Sequence, residues 1–284
     1  MRIAYLGPRG TFSEDALSVA VGGQQVDALP AASVYEAIVA VERGDADRAL
    51  VPFENSIEGA VSATLDALAF EVMDVSLVGE YDLPIRHCLI AREEVPLDRI
   101  EVVLSHPQAS AQCARFIREN LPEAEVRAAP STAEAVRAVS EAAEPWAALG
   151  AESAAELYGA AVLRHGVEDE PDNVTRFVWV APQGVAPTGG GAWRTSLVFS
   201  ELGEDHPGAL VDALSVFSDR HVNLTRIESR PLRRGLGRYQ FFIDIEGSLT
   251  EEQIASAVEA LRSKAESVRV LGSWPIEAPP GVPG

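Results

Sequence analysis

The sequence predicts two consecutive α/β domains, and three observations carry that prediction. Residues 1 to 182 alternate short apolar runs with amphipathic helical stretches, as expected of strands covered by helices. Residues 181 to 192 read APQGVAPTGGGA, a composition that permits no regular element and marks a linker. Beyond it the order becomes strand, helix, strand, strand, helix, strand, the ferredoxin-like βαββαβ pattern. A chain of 284 residues suits two cores, since domains run to about 100 to 200 residues.

In the first domain the strand candidates are RIAYLG, RALVPF, VVLSH, WAALGA and TRFVWVA. Their alternation with helices predicts mainly parallel pairing. Val34, Ile38 and Val41 fall at helical spacing, as do Ala111, Ala114 and Phe116, so each helix has a face to lay on a sheet. In the second domain strands are expected over 194–200, 222–230, 237–246 and 267–273, with helices over 207–220 and 251–265. Thr250 and Gln253 have capping-box spacing, and Ile254, Val258 and Leu261 share one face. The expected limits are therefore 1–182, a linker at 183–192, 193–274, and a flexible tail at 275–284, where PIEAPPGVPG lacks the means to fold alone.

Forty-three acidic against 23 basic residues give a formal charge of -20, which repels nucleic acid and anionic membrane surfaces. An anionic ligand must then be held by local arginines and main-chain N–H groups, with Arg9, Arg86 and Arg176 as candidates. Cys88 and Cys113 lack CxxC spacing, which suits reduced thiols in a cytoplasmic protein. The start MRIAYLG is strand-like rather than a signal sequence, and no apolar stretch reaches about 18 residues. The two Asn-x-Thr sequons therefore have little support as glycosylation sites. The five histidines are scattered without metal-ligand spacing, so no metal is expected.

Three segments share a strand, a polar loop and a helix start: YLGPRGTFSEDAL, VPFENSIEGAVSATL and LSHPQASAQCARF. In open α/β sheets such junctions gather at the carboxyl edge, where free N–H groups attract anions. Thr11 with Glu14 has capping-box spacing, and Ser105 is an expected N-cap before Pro107. Ser56 and Ser105 lack a GxSxG elbow, so a hydrolase is not expected. Asn-x-Thr-Arg occurs twice, in DNVTRF at 172–177 and NLTRI at 223–227. On a regular strand Thr175 and Phe177 share one face and Arg176 takes the other. An ordinary strand start fits this spelling as well as a functional one does.

Taken together, GPRGTFS at 7–13, PFENSIEGAV at 52–61, SHPQASAQC at 105–113 and DNVTRF resemble the prephenate dehydratase family in content, order and spacing. GAL at 208–210 and ESRP at 228–231 resemble the family's ACT regulatory domain. Phe53 and Ser110 stand where an aliphatic residue and leucine are usual. The resemblance implies a two-lobed catalytic domain like periplasmic binding proteins, with one lobe near 1–77 plus 165–180 and the other near 80–160. No chorismate mutase segment precedes the dehydratase motifs, so the resemblance is to the monofunctional form. It implies conversion of prephenate to phenylpyruvate, carbon dioxide and water, without metal, redox cofactor or covalent nucleophile.

By the same resemblance Thr175 is the donor to the leaving hydroxyl, and Arg176 pairs with a substrate carboxylate or, alternatively, holds the fold through an ion pair. Thr11, Ser13, Asn55, Ser56, Ser105, His106, Gln108 and Phe177 are the expected substrate-binding residues, with Glu54 and His106 as possible proton carriers or supports. The expected regulatory site for L-phenylalanine comprises His206, Pro207, Gly208, Ala209, Leu210, Glu228, Ser229, Arg230 and Pro231, between ACT domains of a homodimer or homotetramer. An ACT domain kept only for assembly is the alternative there. Arogenate as substrate, or a ligand sensor without catalysis, are the alternative functions.

Overall fold

The computed structural model describes residues 1–187, 189–203, 207–276 and 281–283. The first lobe contains β1 (Arg2–Leu6), α1 (Phe12–Ala20), β2 (Asp27–Ala31), α2 (Val34–Glu42), β3 (Arg48–Asn55), β4 (Gly59–Ala60), α3 (Ser62–Asp66) with a π-helical turn Ala67–Glu71, and β5 (Val75–Pro84). The second lobe follows as β6 (Cys88–Ala91), β7 (Val102–Ser105), α4 (Pro107–Gln112), α5 (Ala114–Asn120), β8 (Glu125–Ala128), α6 (Thr132–Glu141), β9 (Trp146–Gly150), α7 (Glu152–Tyr158) and β10 (Ala161–His165). The chain then returns to the first lobe as β11 (Val174–Pro182).

Strand order is β5-β11-β3-β1-β2 in the first lobe and β10-β6-β9-β7-β8 in the second. Pairing is parallel among β1, β2 and β3 and among β7, β8 and β9, but β11 is antiparallel to β3 and β5, and β6 to β9 and β10. The sheets are therefore mixed rather than mainly parallel. The cause is topological: a chain that crosses to another lobe and returns inserts its strands without a covering helix crossover. Two hydrogen bonds tie the outgoing and returning crossings together, Ile85 N to Asn173 O (2.8 Å) and Val167 N to His87 O (3.0 Å).

In the first lobe α1 packs on the face formed by Ile3, Tyr5, Leu50, Phe177 and Trp179, while α2 and α3 cover the opposite face of Ala4, Ala49, Val51, Val178 and Val180. Alternation along β11 thus sends Phe177 and Trp179 one way and Val178 and Val180 the other. Local sequence secures two helix starts: Ser33 and Ser131 each accept the main-chain N–H three residues on, from Glu36 and Glu134. Other expected caps differ. Thr11 donates to Leu6 O and Pro8 O, leaving Glu14 to take Gly10 N at 2.6 Å, and α4 is capped by His106 rather than Ser105.

The second domain is β12 (Trp193–Ser200), α8 (Ala209–Ser218), β13 (Leu224–Pro231), β14 (Tyr239–Glu246), α9 (Glu252–Arg262) and β15 (Ser267–Pro275). Its helices bury Ala213, Val216, Phe217, Ile254, Val258 and Leu261 against the sheet. Glu251, not Thr250, stands at the start of α9, and its carboxylate takes Ser248 N at 2.7 Å. This sheet does not hang free on the linker. Gly272 of β15 pairs with Leu77 of β5, so nine strands run as β13-β14-β12-β15-β5-β11-β3-β1-β2, with β4 on β3.

The tail is likewise packed where it is described. Gly281 N donates to Ala20 O (2.9 Å), Arg48 Nε donates to Pro283 O (3.2 Å), and Val282 packs against the α1 face. A proline-rich segment needs no element of its own when a neighbouring lobe supplies the partners.

A Cβ at Gly272 would lie 2.1 Å from Leu77 O, so only glycine allows the two sheets to meet here. Gly272→Ala is expected to cost at least about 1–3 kcal/mol, the range for overpacking, read as a lower urea midpoint. Unchanged stability would show that the junction does not hold the two domains together.

Candidate active site

The lobes enclose a cavity of about 540 Å³. Of the expected substrate-binding residues, Thr11, Ser13, Asn55, His106, Gln108 and Phe177 line it, together with Thr175. Thr11 and Ser13 come from the start of α1, His106 and Gln108 from α4, and Asn55, Thr175 and Phe177 from the paired ends of β3 and β11. A fourth junction, β8 to α6, adds Ser131, Thr132 and Glu134. Its spelling STAE is a capping box and was legible as such.

Two expected residues lie elsewhere. Ser105 is fully buried and donates its hydroxyl to Leu149 O at 2.9 Å. Ser56 straps β3 to the return crossing, accepting Val174 N (3.0 Å) and donating to Asp172 O (3.3 Å). Both hydroxyls are thus engaged with main-chain groups rather than turned to the cavity.

His87, Gln112 and Asn173 line the cavity without having been expected. They join Asn55 and Thr175 in one row of side-chain hydrogen bonds. Asn55 Nδ2 donates to Thr175 Oγ1 (2.9 Å) and to Asn173 Oδ1 (2.7 Å), Asn173 Nδ2 donates to Gln112 Oε1 (3.1 Å), and His87 Nε2 meets the same oxygen at 3.1 Å. Burial pushes the His87 pKa down, against the Gln112 hydrogen bond and the charge of Glu168. Its ring also meets Phe12 edge-on, with centroids 5.1 Å apart. Only a spatial fold brings residues 55, 87, 112, 173 and 175 together, so no local spelling announced this row.

Arg176 points away from the cavity. Its guanidinium is buried and donates to Glu54 Oε2 (2.6 Å) and to Asp244 Oδ2 of the second domain (2.8 Å), with Glu80 Oε2 3.6 Å away. The alternative role as a fold-holding ion pair is the one the geometry supports, because β11 alternates and Thr175 takes the cavity side. Glu54 is correspondingly turned to Arg176 rather than to a ligand. Arg9 and Arg86 pair with Glu14 (3.2 Å) and Glu168 (2.9 Å). Among the described lining residues there is thus no arginine or lysine.

Asp244 also takes both Nε (2.9 Å) and Nη2 (3.1 Å) of Arg226. The two Asn-x-Thr-Arg copies therefore send their arginines to one carboxylate. Phe53 lies beneath both, its ring 5.3 Å from the Arg176 and 4.6 Å from the Arg226 guanidinium, so the aromatic residue at this position supplies a cation–π platform. Alongside, Glu80 accepts from Arg194 Nη2 (3.3 Å) and from the Trp274 indole N–H (3.1 Å). Burial works to raise the Asp244 pKa, yet Arg226 and Arg176 hold it below the ordinary carboxylate range.

In the second domain, Gly208 caps α8 with φ +98° and Ala209 and Leu210 form its first turn. Ser200 of β12 and Arg230 of β13 both pair with Gln240 of β14, so the start of α8 and the end of β13 lie at the same end of the sheet. Pro207, Glu228, Ser229 and Pro231 are at least partly exposed there. Arg230 reaches the first lobe, binding Asp66 (2.7 Å) and Ser62 (2.8 Å). His206 lies outside the described residues.

One trio departs from the scatter of histidines: Cys88, Glu152 and His165 bring ligand-type atoms within 4.8 Å of one another. It lies on the second lobe, away from the cavity lining. The thiol is 3.5 Å from His165 Nδ1, and burial raises its pKa to about 11.

A cleft between two α/β lobes, lined by hydroxyl, amide and imidazole groups and docked on a βαββαβ domain, has the make-up of a small-molecule site. The family comparisons make this specific. The prephenate dehydratase family matches residues 3–184 and the ACT domain residues 200–263. A curated prephenate dehydratase of Mycolicibacterium vanbaalenii is 41% identical over 286 residues, covering 96% of this chain and 90% of the relative. The solved prephenate dehydratase of Arthrobacter aurescens, in complex with L-Phe, is 40% identical with a TM-score of 0.88, covering 96% and 90%. A structure described as a novel type of quorum quenching acylase is 30% identical with a TM-score of 0.83, covering 98% of each chain. The chain belongs to the prephenate dehydratase family and carries an ACT domain. Among the described residues no helix is long and apolar enough to cross a membrane.

Replacing Asp244 by Asn leaves two buried arginines short of charge, and breaking such a pair costs about 3–5 kcal/mol. Because folding depresses this carboxyl's pKa, its contribution is complete above the unfolded carboxylate pKa and fades as pH falls through the folded one. Asp244→Asn is therefore expected to lower stability at neutral pH and to flatten its acid dependence. Identical urea midpoints for the two proteins at pH 7 would count against this account.

Proposed function

We propose that the chain decarboxylates and dehydrates prephenate in the cavity between the lobes, with Thr175 as donor to the departing hydroxyl. The supporting observation is the Asn55 to Thr175 hydrogen bond. Asn55 Oδ1 is occupied by the N–H groups of Ile57 and Glu58, both at 3.0 Å. Its nitrogen therefore faces Thr175, and since Nδ2 gives a hydrogen to Oγ1, the hydroxyl's own hydrogen is available to the cavity.

The chemistry asks little more of the protein. The bond from the ring to its carboxylate breaks and its electron pair enters the ring. The carbon–oxygen bond opposite breaks with its pair on oxygen, and the ring becomes aromatic. Hydroxide is the difficult leaving group, and a hydrogen bond placed at that oxygen stabilises the charge as it develops. A threonine hydroxyl is a weak acid, so position rather than acidity carries its effect.

Prephenate's two carboxylates meet no lysine or arginine among the described lining residues. The N–H groups of Phe12 and Ser13 at the start of α1 and of Thr132 and Ala133 at the start of α6, with the side chains of Ser13, Gln108, Ser131 and Thr132, are the donors proposed instead. Arogenate differs by an ammonium in place of a carbonyl, and relative kcat/KM for the two compounds decides between them. Acyl hydrolysis has less support. Thr11 and Ser105 are engaged with main-chain carbonyls and Thr175 with an amide, so none of these hydroxyls is paired with a histidine base.

L-phenylalanine is the effector proposed for the ACT domain, in keeping with the complex of the Arthrobacter protein. Its carboxylate suits the α8 start at Gly208 and its ammonium suits Glu228. Edge strand β13 exposes Ile227 and offers a surface for a second copy, giving a homodimer or a larger symmetric assembly. A cytoplasmic location fits the two free cysteines.

Thr175→Ala is expected to lower kcat at least about tenfold, or 1.4 kcal/mol, with a smaller change in KM, in a phenylpyruvate absorbance assay. Near-normal turnover would remove Thr175 from the mechanism. Separately, phenylalanine is expected to inhibit the parent enzyme and to lose that effect in Glu228→Ala. Inhibition that persists unchanged would place the effector elsewhere.

A further inference from the structure

We propose that Asn173 and Gln112 are positioning residues for Thr175, fixing its hydroxyl through Asn55, with Gln112 reaching in from the opposite side of the cleft. The proposal rests on Thr175 being the donor to the leaving group. It adds residues that neither touch the reacting atoms nor were expected from the sequence.

Each hydrogen bond in the row has a forced direction. Main-chain N–H groups only donate, so Ile57 and Glu58 fix Asn55 Oδ1 as an acceptor and leave its Nδ2 facing Thr175 and Asn173. Asn173 must then present its oxygen to Asn55 and its nitrogen to Gln112. Gln112 Oε1, which cannot donate, receives hydrogens from Asn173 and from His87 Nε2. The polarity set at the β3 turn thus propagates without conflict to His87 Nε2, the buried Nδ1 of that ring being left without a partner, and side chains joined in such a row restrain one another's rotation.

The row also crosses between lobes. Asn55 and Thr175 belong to paired strands of the first lobe, and Asn173 is the residue before β11. Gln112 ends α4 of the second lobe, and His87 precedes β6. Asn173 is buried and its main-chain oxygen accepts Ile85 N at the crossing, so its side chain moves little unless the crossing itself moves. Thr175 is therefore held in register with the lobe that brings His106 and Gln108 to the same cavity. A change of one ångström in the placement of a reacting group is enough to cost rate without costing binding.

The test compares Gln112→Met, which removes the shared acceptor at similar length, with Gln112→Glu, which keeps it. Asn173→Ala breaks the row at its centre and serves where Gln112→Met does not accumulate as folded protein. In Gln112→Met and Asn173→Ala, kcat for prephenate is expected to fall about tenfold with KM changed less than about threefold. Gln112→Glu is expected to recover most of kcat, its added charge appearing in KM. Parent-like kcat in folded Gln112→Met and Asn173→Ala, with Thr175→Ala inactive, would overturn the positioning role while leaving Thr175 in place. Equal loss in the Met and Glu variants would also overturn it, since the acceptor would then not matter. Normal turnover by Thr175→Ala would instead remove the reading beneath it.

Discussion

A single buried carboxylate, Asp244, joins the two halves of this protein. It is fully buried and receives hydrogen bonds from Arg226 of its own domain and Arg176 of the other. A charge in that position is costly unless it is paired and hydrogen-bonded, so the domains stay docked in the one arrangement that satisfies it. Glu80 with Arg194, and Asp66 with Arg230, extend the same logic along the interface. Arg176 is the residue next to Thr175. The ion cluster therefore sits on the back of the strand whose front carries the proposed chemistry, and the ACT domain is in direct contact with that strand.

The cavity in which an anion is proposed to bind belongs to a strongly acidic chain. Its donors are N–H groups, hydroxyls and amides rather than cations, and the arginines first suspected are all paired with carboxylates. Neutral donors held by a folded framework need no reorganisation when charge develops, which suits a reaction whose difficulty is a departing hydroxide.

Much of the fold was legible because it is written locally. The linker, the βαββαβ order and the strands β1, β3, β7, β9 and β11 follow from periodicity and from glycine and proline. Strands β2, β8 and β10 were harder to see because they are short edge strands with exposed residues, which removes the apolar run that marks a buried strand. Mixed pairing was missed because direction depends on where the chain crosses, and no local pattern records that. The cavity lining was partly legible: motifs placed Thr11 and Gln108 at helix starts and Asn55 and Thr175 on strands, at junctions of the kind where α/β sheets bind ligands. Ser105 was misjudged because a serine before a helix start spells a cap equally well when its hydroxyl is turned into the core.

DNVTRF and NLTRI share a spelling, and the alternation rule applied to β11 already placed Thr175 and Arg176 on opposite faces. Sequence by itself determined that parity, the two domains, and the family, because periodicity and ordered motifs are one-dimensional properties. Which face meets the cleft and which meets the ACT domain was decided only in three dimensions, where Asp244 collects an arginine from each copy and where Gln112, Asn173 and Asn55 link in a row that ends on Thr175. Such convergence depends on residues far apart in the chain, and the only record of it is the packing that brings them together.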